Sequence, residues 1–325
     1  MKTKCIKKSI LLILAAALIS ASCTKSEKKK NHLTVTAAIF PEYDWLLNIT
    51  AGVENIECIL LSKSGVDLHS FQPSAKDIIC IKESDLFIYT GGESDSWIKE
   101  ILQETPEVRS INLLEVLEEN VVEEEITEGM ETEHHHHEDH DEEETEYDEH
   151  VWLSLNLASK ICMKISRELS ELDKDNASSY EKNFSEYNEK LLALENQYST
   201  FFSSPSASGK TLIFCDRFPF RYLAKDYGLN YYAAFSGCSA QTDASFSTMA
   251  FLTEKADQLN CSAVFILEES DGKIASTVVS NSKNKNMEIL KLDSVQSVSE
   301  EKISRGYTYL NAMEQNLEVL KKAFN

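Results

Sequence analysis

The segment LTVTAAIFPEYDWLLNITAGVENIECILL (Leu33–Leu61) decides the fold class. Leu33–Ile39 is β-branched and apolar, which predicts a strand. Pro41–Ala51 follows, with Tyr43, Leu46, Leu47 and Ile49 on one side at helical spacing. Asn55–Leu61 is a second apolar strand. The alternation then continues. Ser74–Glu83 reads as a helix that starts beside Pro73 and buries Ile78, Ile79 and Ile81. Leu86–Gly91 is a strand, Asp95–Gln103 a helix carrying Trp97, Ile98, Ile101 and Leu102, and Arg109–Val116 a short fourth strand. Strands and helices alternating in one run imply parallel β/α units.

Further along, the pattern is helical and then alternates again. Asn156–Leu172 places Leu157, Ile161, Ile165 and Leu169 four apart. Asp175–Phe202 holds neither glycine nor proline, and Tyr180, Phe184, Tyr187, Leu191, Leu194, Tyr198 and Phe202 recur at three or four. Asp173 or Asp175 is the expected cap. A polar helix of this length between two β/α blocks reads as a rigid spacer, ended by the breaker Ser203–Gly209. Strands are expected at Thr211–Cys215, Asn230–Ser236, Ser262–Glu268 and Met287–Asp293. Helices are expected at Pro219–Tyr227, Ser245–Leu259 and Lys273–Asn281, with Glu300–Phe324 closing the chain as one long helix. The fold class is therefore α/β: two lobes with mainly parallel four-stranded sheets, joined by one long backbone helix. The expected divisions are a signal peptide at 1–22, a tether at 23–32, a first lobe at 33–172, a linking helix at 173–204 and a second lobe at 205–325.

The N-terminus suggests export. Met1–Lys8 carries four lysines, and Ile10–Ile19 is an apolar run of ten, too short for a permanent membrane span. Ser20, Ala21 and Ser22 then precede Cys23, a layout similar to a bacterial lipobox, with Ser20 where leucine is usual. Lipidation of Cys23 would anchor the chain to the outer face of a membrane; an ordinary signal peptide with an incidental cysteine is the alternative. The basic stretch Thr24–Asn31 suits a tether at a membrane. Six later cysteines, Cys58, Cys80, Cys162, Cys215, Cys238 and Cys261, do not reveal a pairing.

Net charge is −22, and Glu123–Glu149 alone carries fifteen carboxylates with no lysine or arginine. No basic face is available for nucleic acid. The same tract, a loop expected over 118–149, holds His134, His135, His136, His137 and His140. Its near-absence of apolar side chains predicts a solvated or disordered segment. Imidazoles among carboxylates suit a divalent transition metal. A flexible loop does not preorganise its donors, so these histidines are expected to be auxiliary.

Ligands of doubly wound sheets bind beyond the C-terminal strand ends. His69 follows the second strand, His150 ends the acidic tract, Cys215 and Asp216 end the fifth strand, and Asp293 ends the last. Two motifs here carry a resemblance. VDLHSFQPSAKD (Val66–Asp77) is similar to D-P-H-x-[FY]-[EQ]-P, with Leu68 for proline. DEHVWLSLNLA (Asp148–Ala158) is similar to D-P-H-[VI]-W-x-x-P, with Glu149 and Leu155 for prolines. Together with the histidine-rich loop they resemble the solute-binding proteins of zinc and manganese ABC transporters, over residue 33 to the C-terminus. The resemblance implies a monomeric, lipid-anchored receptor that catalyses no reaction. It binds Zn²⁺ as cargo and delivers it to a membrane permease with its ATPase.

It also implies His69 and His150 as metal ligands and Asp293 as a further one. The third motif departs, since CDRFPFRYLAKDYGL (Cys215–Leu229) has Cys215 where the family has histidine. Cys215 and Cys238 both remain candidates for the third ligand, with Glu268 and Glu269 weaker ones. Manganese or iron receptors prefer more carboxylate donors. A zinc hydrolase needs an open coordination position and a base, and no HExxH occurs. A surface adhesin or metal store without transport is the remaining alternative.

Overall fold

Two sheets of four parallel strands, in matching strand order, organise the chain. A computed structural model describes residues 32–63, 65, 68–131, 146–239 and 243–324. The first half runs Leu33–Ala37 (β1), Phe40–Ile49 (α1), Ile56–Leu60 (β2), Ala75–Glu83 (α2), Leu86–Tyr89 (β3), Ser96–Glu104 (α3), Arg109–Asn112 (β4) and Leu113–Leu117 (α4). Two long helices follow, Leu155–Leu172 (α5) and Ala177–Phe202 (α6). The second half runs Thr211–Phe218 (β5), Arg221–Tyr227 (α7), Asn230–Ser236 (β6), Phe246–Gln258 (α8), Ala263–Leu267 (β7), Lys273–Asn281 (α9), Glu288–Leu292 (β8), Glu300–Ser304 (α10) and Tyr309–Phe324 (α11).

The sheet orders are β2-β1-β3-β4 and β6-β5-β7-β8. β1 pairs in parallel with β2 from Leu33↔Ile56 to Ala37↔Leu60, and with β3 from Val35↔Leu86. β7 pairs with β8 from Ala263↔Glu288 to Leu267↔Leu292. Every residue of β3 and of β7 is buried, as expected for parallel strands covered on both faces. In each sheet the winding direction reverses after the second strand, which opens a crevice at the C-terminal strand ends.

Helix α6 is the long helix expected between the two β/α blocks, and it is packed along its length. Its side chains Tyr180, Tyr187, Leu191, Leu194, Tyr198 and Phe202 are buried, each worth about 1.5–3 kcal/mol relative to exposure. It donates from the Tyr187 hydroxyl to Asp44 of α1 (3.3 Å) and from the Tyr198 hydroxyl to the Met313 carbonyl of α11 (2.6 Å). The helix is thus a spine packed on both halves. Its cap also differs: Asp173 Oδ2 accepts from the Asn176 amide (2.6 Å) and the Tyr180 hydroxyl (3.1 Å), and the helix starts after Asn176.

Three other expectations change. The Arg109–Val116 strand stops at Asn112, whose side chain accepts from Glu115 N–H (3.2 Å) and starts α4. Ile79 is 53% exposed, because the buried side of α2 is set by Ile81. The closing helix is two: Gly306, at φ 86°, breaks it between α10 and α11. Ser74, Ser154 and Ser245 cap α2, α5 and α8. Cys58, Cys80, Cys162, Cys215, Cys238 and Cys261 are all free thiols. No helix among the described residues is long and apolar enough to cross a membrane. Cys23 and the five tract histidines lie outside the described residues.

Candidate metal centre

His69 sits on a single 3₁₀ turn, Leu68–Ser70, between β2 and α2. The segment after it is fixed by a reciprocal cap: Ser74 N–H donates to Asp77 Oδ2 (2.8 Å) and Asp77 N–H to Ser74 Oγ (3.3 Å). His150 sits at the end of the acidic tract. There Asp148 folds a tight turn by accepting the His150 N–H at its Oδ1 (2.9 Å). The turn is anchored on the second lobe, where the Tyr222 hydroxyl donates to the Asp148 carbonyl (2.8 Å). Beyond it, Trp152 is fully buried and donates Nε1–H to the Ser294 carbonyl (2.8 Å).

The two imidazoles meet. His69 Nε2 and His150 Nε2 are 3.3 Å apart, with ring centroids 5.3 Å apart. The opposite ring nitrogens face acceptors: His150 Nδ1 is 3.1 Å from Asp148 Oδ1, and His69 Nδ1 is 2.7 Å from Ser94 Oγ. A proton on each Nδ1 would leave both Nε2 atoms turned toward one point between the rings, where a cation could be shared. Cys238, in the turn after β6, completes the group: the three donor atoms of His69, His150 and Cys238 all lie within 4.8 Å of one another. Two imidazoles and a thiol are a donor set suited to zinc.

Burial, then the neighbouring Asp148, Glu124 and Glu149 carboxylates, push the Cys238 thiol well up from its ordinary value. A metal ion must displace that proton to gain the thiolate. The Cys238 N–H donates to Glu124 Oε1 (3.0 Å). Gly237 lies so close to the histidine that a Cβ there would stand 3.1 Å from His150 Cε1.

The other candidate residues are not in that three-residue group. Cys215 points into the second lobe's core beside Ile213, Phe235 and Leu252, and burial raises its thiol pKa strongly. Asp293 is outside the three-residue group: its Oδ2 accepts from the Tyr307 hydroxyl and its Oδ1 from Val295 N–H, both at 2.8 Å. Glu268 accepts from the Ser294 N–H (2.9 Å) and hydroxyl (2.7 Å), and Glu269 pairs with Lys302 (2.8 Å). Asp216 accepts from Arg217 N–H (2.9 Å).

The described start of the acidic tract, residues 123–131, is less solvated than its composition predicts. Glu131 N–H donates to the Ala234 carbonyl on edge strand β6 (2.9 Å), Lys255 pairs with Glu128 (3.2 Å), and Met130 is buried. Residues 123–131 are therefore strapped across the second lobe. Sequence reasoning missed Ser94, Asp148, Glu149 and Glu124 as supports of the site. The one available signal was the Gly91-Gly92 pair after β3, which lets Glu149 approach the backbone.

Residues 35–323 match the family model described as zinc-uptake complex component A, periplasmic. The chain belongs to that family. Among zinc-uptake component A relatives, it is 32% identical over 321 residues to the high-affinity zinc uptake system protein ZnuA of Bacillus subtilis, covering 96% of each chain. It is 29% identical over 316 residues to the zinc-binding lipoprotein AdcA of Streptococcus pneumoniae serotype 4. That match covers 97% of this chain but spans only 60% of the length of the pneumococcal protein. The fold is similar to the crystal structure of the Zn(II)-bound ZnuA-like domain of that AdcA, with a TM-score of 0.70 at 26% identity, covering 90% of this chain and 99% of the domain.

Proposed function

We propose that this protein is an extracytoplasmic zinc receptor that captures Zn²⁺ between His69, His150 and Cys238 and delivers it to an ABC-type importer. The observation that carries the reading is the convergence of those three donors within 4.8 Å, brought from separate parts of the chain. The zinc binding and zinc uptake named for the Streptococcus and Bacillus relatives support it. The lobes are taken as 33–172 and 205–325, with 173–204 as the spine between them. Capture is binding without catalysis. The chain acts as a monomer tethered through Cys23, and its partners are a membrane permease and the associated ATPase. The tract histidines serve as auxiliary collectors.

Manganese and iron are weaker readings because a thiol among the donors favours a softer ion. The test is calorimetric zinc titration of the purified protein and of three variants. His69→Ala with His150→Ala abolishes the tight site, Cys238→Ser weakens it, and Cys215→Ser leaves it intact. Unchanged affinity in the double histidine variant refutes the site. Loss with Cys215→Ser in place of Cys238→Ser moves the third ligand.

A further inference from the structure

The tripeptide Asp148-Glu149-His150 contains one ligand and two carboxylates, and only one of the carboxylates touches that ligand. Asp148 backs His150 directly. Glu149 turns the other way, toward the first lobe. Its side chain is 2% exposed, and its Oε1 accepts the Ser94 N–H at 2.8 Å. Its Oε2 is buried, has no hydrogen-bond partner, and lies 4.0 Å from His69 Nδ1. A buried carboxylate oxygen left this way is costly and calls for a reason.

Ser94 connects the two groups. Its hydroxyl oxygen is 2.7 Å from His69 Nδ1, and its backbone N–H holds Glu149. The backbone is shaped for this approach. Gly92 has no Cβ, and one built there would stand 2.2 Å from Glu149 Oε1. Gly91, at φ 93°, turns the chain after β3 toward the 3₁₀ turn that carries Ser94. The family motif quoted above has proline at the Glu149 position, and proline has no group that can play this part.

We infer that Glu149 is a positioning residue that, through Ser94, fixes the His69 ring with Nδ1 protonated and Nε2 turned toward the metal position. The inference rests on the proposed zinc site and deepens it: one tripeptide supplies a ligand and the carboxylate support of both histidines. His69 Nδ1–H donates to Ser94 Oγ, and Glu149 anchors Ser94. When a dication binds at Nε2, the imidazole N–H becomes a stronger donor, and the negative charge behind it stabilises the bound state. The serine makes this an indirect counterpart of the Asp148–His150 contact.

The experiment is a double-mutant cycle on zinc affinity and zinc dissociation rate with Glu149→Gln, Ser94→Ala and the pair, adding Ser94→Thr. Loss of such a support typically costs about 10- to 100-fold in metal affinity. Glu149→Gln and Ser94→Ala are each expected to weaken binding by about that factor, and the double variant by no more than one of them. Ser94→Thr, which keeps the hydroxyl, restores binding. Metal-free unfolding midpoints check that each variant folds; glutamine matches glutamate in shape, so that variant keeps the fold. Affinity within about twofold of the wild type in Glu149→Gln, or effects that multiply in the double variant, overturns the inference. If His69→Ala still abolishes binding while Glu149→Gln does nothing, this inference fails and the site stands. If neither variant changes binding, the site itself fails.

Discussion

Asp44→Asn tests whether a charge buried beside the spine governs the pH dependence of stability. Asp44 lies on α1 with 5% exposure, and its Oδ2 accepts from the Tyr187 hydroxyl and the Asn48 amide, each at 3.3 Å. Burial pushes its carboxyl up from 3.8 to about 6, with the Tyr309 N–H and the Tyr187 hydroxyl opposing the shift. The folded-state pKa is raised, so the folded protein holds this proton where the unfolded chain has released it. The resulting stability is complete below about pH 3.8 and is lost as pH rises through about 6. The full shift corresponds to about 3 kcal/mol. At pH 5 about 1.4 kcal/mol of it remains, and at pH 8 almost none. Asparagine cannot ionise, so the variant lacks this component.

The assay is urea unfolding of the metal-free protein at pH 5 and pH 8, for wild type and variant. Between those values the wild type is expected to lose about 1.4 kcal/mol more than Asp44→Asn. Asp95 and Glu268, both raised to about 7 chiefly by burial, titrate in both proteins and drop out of the difference. An equal pH dependence in the two proteins, or a steeper one in the variant, refutes the reasoning.

Two further outcomes are expected. Gly237→Ala forces a Cβ against the Phe218 carbonyl at 3.0 Å and the pinned His150 ring, and lowers zinc affinity by about tenfold, read by competition with a chromogenic chelator. Replacing His134, His135, His136, His137 and His140 with glutamine leaves one tightly bound zinc per molecule and removes weaker sites, counted by metal analysis after dialysis.

Local signals carried much of this protein. The alternation of apolar runs and helical spacing from Leu33 onward specified both sheets, since a strand buried on two faces must be apolar throughout and its crossover helix only on one side. Lys273–Asn281 and Asn230–Ser236 have the bounds their sequences predict. His69 and His150 stood out because histidine is scarce outside the tract and both follow recognisable motifs.

What the chain could not disclose locally was decided by packing. Cys215 and Cys238 both follow apolar runs in the second lobe. Only the alternation of side chains about β5, together with the turn after β6, sends one thiol into the core and the other to the histidines. Asp293 follows β8, and Tyr307, beyond the break at Gly306, donates its hydroxyl to the Asp293 carboxylate. The first part of the acidic tract reads as solvated because its composition cannot build a core. It is docked because β6 is an edge strand whose free carbonyl at Ala234 accepts a partner from anywhere in the chain. Contacts of that kind join residues a hundred positions apart, and no periodicity within either segment records them.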